Sequence, residues 1–406
     1  MSTYRRKVAI VGAGPAGAST ALFLKDNNVD ITVFERQTDP GPVGAGIMLQ
    51  TSGLRVLKDL DVLPEIDCLG KKITRFKSRN RQGKTIFDIN FSDLKLGYFG
   101  VGIHRSTIFK SLYDQVIKSS VNVQKGVDVC SFKEHNDQVI LLDETDTEIG
   151  LFDLVIVANG SRNPLRQKLD ITKFEKQQPV SALWVKVPSV GEELDRTMVQ
   201  VYSGTDKMLG MMPIGIDSYS DSGTSVINYF WGATNDYLKN WSPKLFKSWK
   251  KEALALAPEY SDITNRITDF EQVTCAPYFD VKLKPFYHNS ILFIGDAAHA
   301  MSPHLSSGTN LALLDAKVFG ECYSDQKSVK EIFEDYQSKR AGQIYYYQWA
   351  SRLVTPLFQS PKNRAWLRDI VLKTAYNFPL SKGLITKTIT GTRYNLFKNL
   401  PDKYSL

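Results

Sequence analysis

A short β-branched run, KVAIV (Lys7 to Val11), passes directly into Gly12-Ala13-Gly14-Pro15-Ala16-Gly17 and then into ASTALFLKD, whose apolar residues recur at helical spacing. A second strand, VDITVFE, ends at Glu35. A GxGxxG run that follows a strand and opens a helix constrains the fold more than any other feature of this chain. It dictates a β-loop-α-β unit, the start of a dinucleotide-binding sheet. Gly12 permits the tight turn, Gly14 lets backbone approach a pyrophosphate, and Gly17 lets the helix lie close to the sheet, so that phosphate meets the N–H groups at the helix start. Glu35, eighteen residues past Gly17, is placed to accept both hydroxyl hydrogens of an adenosine ribose. A 2′-phosphate beside it would meet like charge. Ala16 and Arg36 complete this first set of candidate cofactor-binding residues. The unit demands a dinucleotide without separating FAD from NAD.

At 406 residues the chain has room for two interpenetrating domains around a shared cleft. Its composition, 42% hydrophobic and 23% charged, excludes disorder as the main theme. Cys68, Cys130, Cys275 and Cys322 lie far apart without paired ligand spacing, and the polar start MSTYRRK is no secretion signal, so a reducing, cytoplasmic setting without structural zinc is expected. No run reaches the roughly 18 to 20 apolar residues of a spanning helix. The net charge of +8 sits almost wholly in residues 361 to 406, where nine basic residues face Asp369 and Asp402. That placement speaks against nucleic acid and leaves open a peripheral contact with an anionic surface.

Patterning predicts helices over 50–66 and 105–118, the second capped by Ser106. The runs VNVQKGVDV, VILLD and LFDLVIVANG between 120 and 156 read as a small antiparallel ribbon feeding back into the main sheet. From 178 to 285 come long strand-like pieces and an amphipathic helix near 243–256, a second layer able to roof a ligand pocket. The main sheet returns at NSILFIGDAAHA and leads to a helix over 308–323. Two helical stretches, 328–354 and 363–376, finish the chain, with Pro356 and Pro361 breaking between them. The expected divisions are 1–177 and 286–325 for the nucleotide domain, 178–285 for the substrate domain and 326–406 for a helical C-terminal region.

A second glycine-aspartate site, GDAAHAMSPHLSSGTN at 295–310, separates FAD from NAD. Asp296 follows a buried strand, so its carboxylate can hold a ribityl hydroxyl. Gly295, Pro303, the Ser306-Ser307-Gly308 bend and Asn310 suit a flavin, since N–H groups at a helix start stabilise the negative charge of a reduced isoalloxazine. His299 and His304 lack a convergent third ligand and are not a metal pair.

These motifs carry a resemblance. The chain is similar to the class A flavoprotein monooxygenases, the FAD-dependent aromatic hydroxylases of the para-hydroxybenzoate hydroxylase fold, which include the ubiquinone-pathway hydroxylases. GAGPAG with Glu35, VIVANGSRNPLR at 155–166 and GDAAHAMSPHLSSGTNLALLDA at 295–316 match in order. The resemblance implies an α/β fold: a Rossmann-like FAD-binding domain with an inserted, mostly antiparallel β-sheet substrate domain and a helical C-terminal region. It implies that Arg105 contacts the FAD chain and that Gly44, Ala45 and Gly46 run beside the flavin. Where the family's middle motif reads Asp-Gly-x-x-Ser, this chain has Asn159-Gly160-Ser161-Arg162-Asn163, with Arg166 following. Asn159 removes a charge and Asn163 a hydroxyl at a motif that touches both FAD and NAD(P)H. Ser306-Ser307-Gly308 stands for the usual Gly-Gln-Gly.

The function so implied is a single-component monooxygenase with tightly bound, non-covalent FAD. NADH or NADPH serves as transient reductant, and O₂ reacts through a flavin C4a-hydroperoxide to hydroxylate a small aromatic or electron-rich substrate. Met211, Met212, Pro213, Tyr229, Phe230 and Trp231 are the candidate substrate residues. No catalytic base stands out, since spacing alone does not bring His104, His288 or Tyr278 to a substrate. Flavin halogenases share the first domain, but none of the six tryptophans lies in their W-x-W-x-I-P segment. An FAD-dependent oxidoreductase or prenyl-chain reductase without oxygen insertion, or a turnover-impaired flavin-binding interaction protein, is the alternative reading.

Overall fold

The strand Arg6–Val11 lies inside a six-stranded sheet in the computed structural model, which describes residues 4–41, 44–93, 98–189, 194–219, 223–360, 365–368, 370–371 and 378–406. Val29–Glu35 pairs with it in parallel on one side, Ile10 opposite Val33, and Leu154–Val157 on the other, Val8 opposite Leu154. Ile291–Phe293 continues the parallel order beyond Leu154–Val157, so the chain leaves this sheet after residue 157 and returns to it after more than a hundred residues. Helices cover the sheet, Pro15–Leu24 lying against Gly308–Cys322, which is why its central strands are continuous apolar runs.

Asn122–Lys125 joins the outer edge of this sheet in parallel. Only Ser131–His135, Gln138–Leu142 and Glu148–Phe152 form the antiparallel ribbon expected across 120–156.

The second layer is a seven-stranded sheet in the order Thr274–Leu283, Thr172–Pro188, Ser225–Thr234, Lys207–Ile216, Thr197–Ser203, Arg75–Asn80, Thr85–Asn90. It is antiparallel apart from the parallel pairing of Thr197–Ser203 with Arg75–Asn80. Two of its strands therefore come from residues 75–90, outside the expected 178–285 span. A hairpin early in the chain adds to a sheet built mostly much later, a pairing that local sequence cannot announce. A small three-stranded sheet, Gly46–Leu49, Gly100–His104 and Lys71–Ile73, joins the two layers.

Helical expectations are met with local corrections. The 50–66 stretch divides into Thr51–Asp59 and Leu63–Leu69 at Asp61, whose φ is +58°. His104 rather than Ser106 stands at the N-cap position of Arg105–Lys118, without a side-chain cap bond, and the Ser106 hydroxyl pairs with His104 Nδ1. Val329–Phe358 runs on through Pro356, and Pro361 lies outside the described residues. Ser328 and Glu331 close a capping box at its start. Pro379–Ile389 follows, and no helix among the described residues is long and apolar enough to cross a membrane.

Candidate active site

A groove enclosing about 1950 Å³, open mouth included, runs along the carboxyl ends of the parallel strands. Gly12, Gly14, Ala16, Glu35, Arg36, Arg105, Asn159, Gly160, Asp296 and Gly308 line it together, although they come from five separate stretches of sequence. The glycines explain its shape. Gly12 has φ +99°, and a Cβ there would stand 2.8 Å from Asn159 Cα; a Cβ on Gly17 would stand 1.9 Å from Gly12 O. Gly14 is the reverse case, with no heavy atom within 4 Å of where its Cβ would be, so backbone is bare toward the groove at the N-terminus of Pro15–Leu24.

Glu35 is fixed by its own turn, Oε2 accepting from Ala13 N–H at 3.0 Å and Oε1 from Gln37 N–H at 3.0 Å. Each carboxylate oxygen keeps a lone pair for a ligand. Asn159 Oδ1 is buried without a protein partner, an acceptor facing the groove side. Three guanidinium groups, Arg36, Arg105 and Arg162, line the same space and are suited to charge-assisted hydrogen bonds with phosphate oxygens. Sequence reasoning missed Phe109, Asp128, Val129 and Thr309 in this lining, residues without a motif of their own.

A second, apolar cavity opens between the seven-stranded sheet and the C-terminal helices, the space within it and its open mouth together amounting to about 940 Å³. Phe76, Phe87 and Tyr202 form its sheet wall; Tyr346, Ala350 and Phe358 from one helix and Ile385 and Ile389 from another form the opposite wall. The 295–310 segment touches both spaces. Asp296 and Gly308 face the groove, while His304 and Leu305 face the cavity. Between these two sets of residues lies the turn Pro303–Ser307, with Ser306 at φ +51°.

Residues 5–341 match the family model described as FAD binding domain. That span covers most of the chain. The chain belongs to the family of the class A FAD-dependent aromatic hydroxylases. Among curated relatives, 3-amino-4-hydroxybenzoate 2-monooxygenase of Streptomyces cremeus is 26% identical over 87% of this chain and 88% of its own length. FAD-dependent urate hydroxylase of Klebsiella pneumoniae is 23% identical over 83% and 86%. The solved structure of Klebsiella pneumoniae HpxO complexed with FAD and uric acid superposes with a TM-score of 0.80, at 18% identity, over 97% of this chain and 98% of that one.

Several expected hydroxylase residues stand elsewhere than the groove. Asn310 is consumed in the scaffold: its Oδ1 accepts from Gln50 N–H at 2.8 Å, and its Nδ2 donates to Met48 O at 3.1 Å and Ser306 O at 2.8 Å. It holds the bend rather than offering its amide to a ligand. Gly46 meets the second layer, its N–H donating to Asn228 Oδ1 at 3.1 Å, and Ala45 O accepts from Arg105 N–H at 3.1 Å. A Cβ on Gly44 would stand 2.9 Å from Arg105 Cδ, so this loop sets that arginine's position. Pro303, Ser306 and Ser307 lie on the dividing turn, and Gly295 opens the short helix Asp296–His299 at φ +58°. Asn163 Oδ1 accepts from Leu165 N–H at 2.8 Å, so its amide closes the local turn.

The candidate substrate residues divide by strand alternation. Met211, Tyr229 and Trp231 pack on the far face of the sheet against Trp249 of the helix Pro243–Leu256, away from the groove. Met212 and Phe230 lie on the cavity-side face with Met208 and Tyr202, and Pro213 packs its backbone against Gly102. His104, His288 and Tyr278 do not line the cavity; His304 does. Its ring stacks on Phe358, its Nδ1 pairs with Ser302 Oγ, and burial pushes its pKa down to about 4.

Behind the motifs lie two clamps that spacing did not reveal. Arg166, fully buried, donates to Glu175 Oε1 at 2.6 Å, to Ala297 O at 3.2 Å and to Ser161 O, joining the middle and third motifs. Asp315 accepts from Gly295 N–H at 2.9 Å, from His299 Nε2 at 2.6 Å and from Arg340 Nε at 2.7 Å.

Proposed function

We propose that this chain is a single-component monooxygenase that uses NADH or NADPH and O₂ and takes an apolar aromatic substrate into the apolar cavity. One observation carries the reading: the third motif lines the cofactor groove with Asp296 and Gly308 and the apolar cavity with His304 and Leu305. A substrate resting against His304 and Leu305 is thereby one turn away from the ligand of the groove. FAD bound in the groove supplies the redox chemistry, accepting hydride and activating O₂.

The chain's own residues would do the rest. Glu35 holds the adenosine ribose, while Gly14 and the helix start behind it meet the pyrophosphate, with Arg36 and Arg105 adding charge-assisted hydrogen bonds. Asp296 holds the ribityl chain, and Asn159 offers its unpaired Oδ1 along the same edge. The N-terminus of Gly308–Cys322 favours negative charge next to the dividing turn. Phe76, Phe87 and Phe358 exclude water from the cavity. His304, neutral above about pH 4, has its buried Nε2 without a protein partner and can form a hydrogen bond there with a polar group of the substrate. Four free cysteines, two of them exposed, suit a reducing compartment and support the cytoplasm as the place of work.

The test is turnover under ¹⁸O₂ with NADH and with NADPH across alkyl-substituted phenols and nitrogen heterocycles, read by mass spectrometry. One atom of label in an aromatic product is expected. Cofactor oxidation that never labels any aromatic would favour an oxidoreductase without oxygen insertion.

A further inference from the structure

The helix Val329–Phe358 gives the apolar cavity a long wall. Tyr346, Ala350, Val354 and Phe358 all line it, and their spacing of four places them in one stripe along the helix. Twelve residues at the helical rise make that stripe about 18 Å long, well beyond the span of a single aromatic ring. Ile385 and Ile389 belong to the same wall, with Phe76 and Phe87 of the seven-stranded sheet on the other side. Trp349 and Leu353, which also line the cavity, are more than half exposed, so the space reaches solvent along that edge of the helix.

Polar groups inside are few and mostly paired with one another. Tyr202 Oη donates to Gln200 Oε1 at 2.7 Å. Tyr346 Oη donates to Thr388 Oγ1 at 2.6 Å, since the Thr388 hydroxyl itself donates to Leu384 O at 2.8 Å. His304 is different: its ring stacks on Phe358 at one end of the stripe, and its Nε2 is buried without a partner. No Lys, Arg, Asp or Glu stands among the described residues that line the cavity, and the His304 ring is neutral above about pH 4. A charged group carried into such a space would lose its hydration and meet no counter-ion. A hydrocarbon chain would gain with each methylene it buried.

We infer that the cavity is built for an uncharged aromatic ring that carries a hydrocarbon chain, the ring's polar edge at His304 and the chain lying along the helix stripe past Ala350. Turnover of such a compound rests on the reading of the cavity as the substrate site; its binding does not. Ala350 is the smallest side chain of the stripe and packs in one cluster with Leu305 and Tyr346, so its size sets how far a chain can extend.

The test titrates the FAD-loaded protein with para-alkylphenols from methyl to octyl by calorimetry, and follows the same compounds under ¹⁸O₂ with NADH or NADPH. Affinity should rise about threefold to fourfold with each added methylene up to the length of the stripe. An octylphenol whose chain ends in a carboxylate should bind at least about tenfold more weakly than the plain octyl compound. Ala350→Leu should weaken octyl binding at least about tenfold more than methyl binding, with flavin retained. Affinity that does not change with chain length overturns the inference. So does a terminal carboxylate that binds as well as the methyl end, or an Ala350→Leu variant that holds FAD and weakens both phenols equally. Should that variant lose FAD, the wild-type series alone decides. Chain-dependent binding with no ¹⁸O in any phenol leaves the occupant supported and overturns the cavity as the substrate site. Label in short aromatic acids with no effect of chain length does the opposite.

Discussion

Asp315 lines neither the groove nor the cavity, yet donors from three elements converge on it. Burial pushes its pKa up, but His299 and Arg340 outweigh burial and hold the carboxyl at about 2. Its folded pKa lies below the unfolded one, so its contribution to stability is present above about pH 4 and is lost as pH falls toward about 2. Asp315→Asn keeps the shape and strips the charge, leaving Arg340 buried and uncompensated, at a cost of about 3 to 5 kcal/mol. A lower melting temperature and loss of FAD on gel filtration are expected; unchanged flavin content would show that Gly295 needs no such anchor. His304 gives a second pH dependence. Its folded pKa is depressed to about 4, so the unfolded chain takes up the proton first, and stability falls as pH drops from about 6.5 to about 4. The loss approaches on the order of 3 kcal/mol. His304→Gln should flatten this part of the melting-temperature profile, and parallel profiles for variant and wild type would contradict it.

At the scale of elements, strand period decides which residues can meet a substrate. Tyr229 and Trp231 face Trp249 at ring-centroid distances of 6.1 and 6.3 Å, while Phe230 between them faces the opposite layer. Trp231→Ala should therefore cost about 3 to 5 kcal/mol of stability while leaving the KM for the aromatic substrate within about twofold of wild type. Ile385→Trp, on a cavity wall, should do the reverse, raising KM several-fold with flavin content and melting temperature little changed. Urea unfolding beside steady-state kinetics separates the two, and a large KM change in Trp231→Ala would place the substrate on the far face. The alternation of these strands was legible in the sequence, but its phase was not. Both faces are apolar, so the usual contrast between a wet side and a dry side is missing.

For the whole molecule, the groove is where distant parts of the chain meet. Glycine loop, Glu35 turn, Arg105 helix start, middle motif and third motif converge on one space, so a ligand bound there fastens all five. A ligand that binds only the folded chain adds about 2.7 kcal/mol at a hundredfold excess over Kd. Glu35→Ala removes the ribose acceptor and should lower both FAD retention after purification and the melting temperature gained on adding FAD. Full flavin content in that variant would contradict the role given to Glu35.

The sequence by itself determined the dinucleotide unit, the order of the three motifs, the long excursion out of the parallel sheet and the family, because each rests on local rules: glycine where backbone must turn or approach closely, period two or 3.6, and charge at helix starts. Tertiary structure alone decided the rest. It recruited residues 75–90 into the second sheet, turned Asn310 inward as a scaffold clamp, set Arg166 and Asp315 behind the motifs, and chose His304 over His104 and His288 for the cavity wall. These outcomes depend on which surfaces meet after long loops close. That is a property of packing between segments up to hundreds of residues apart, and no window of sequence contains it.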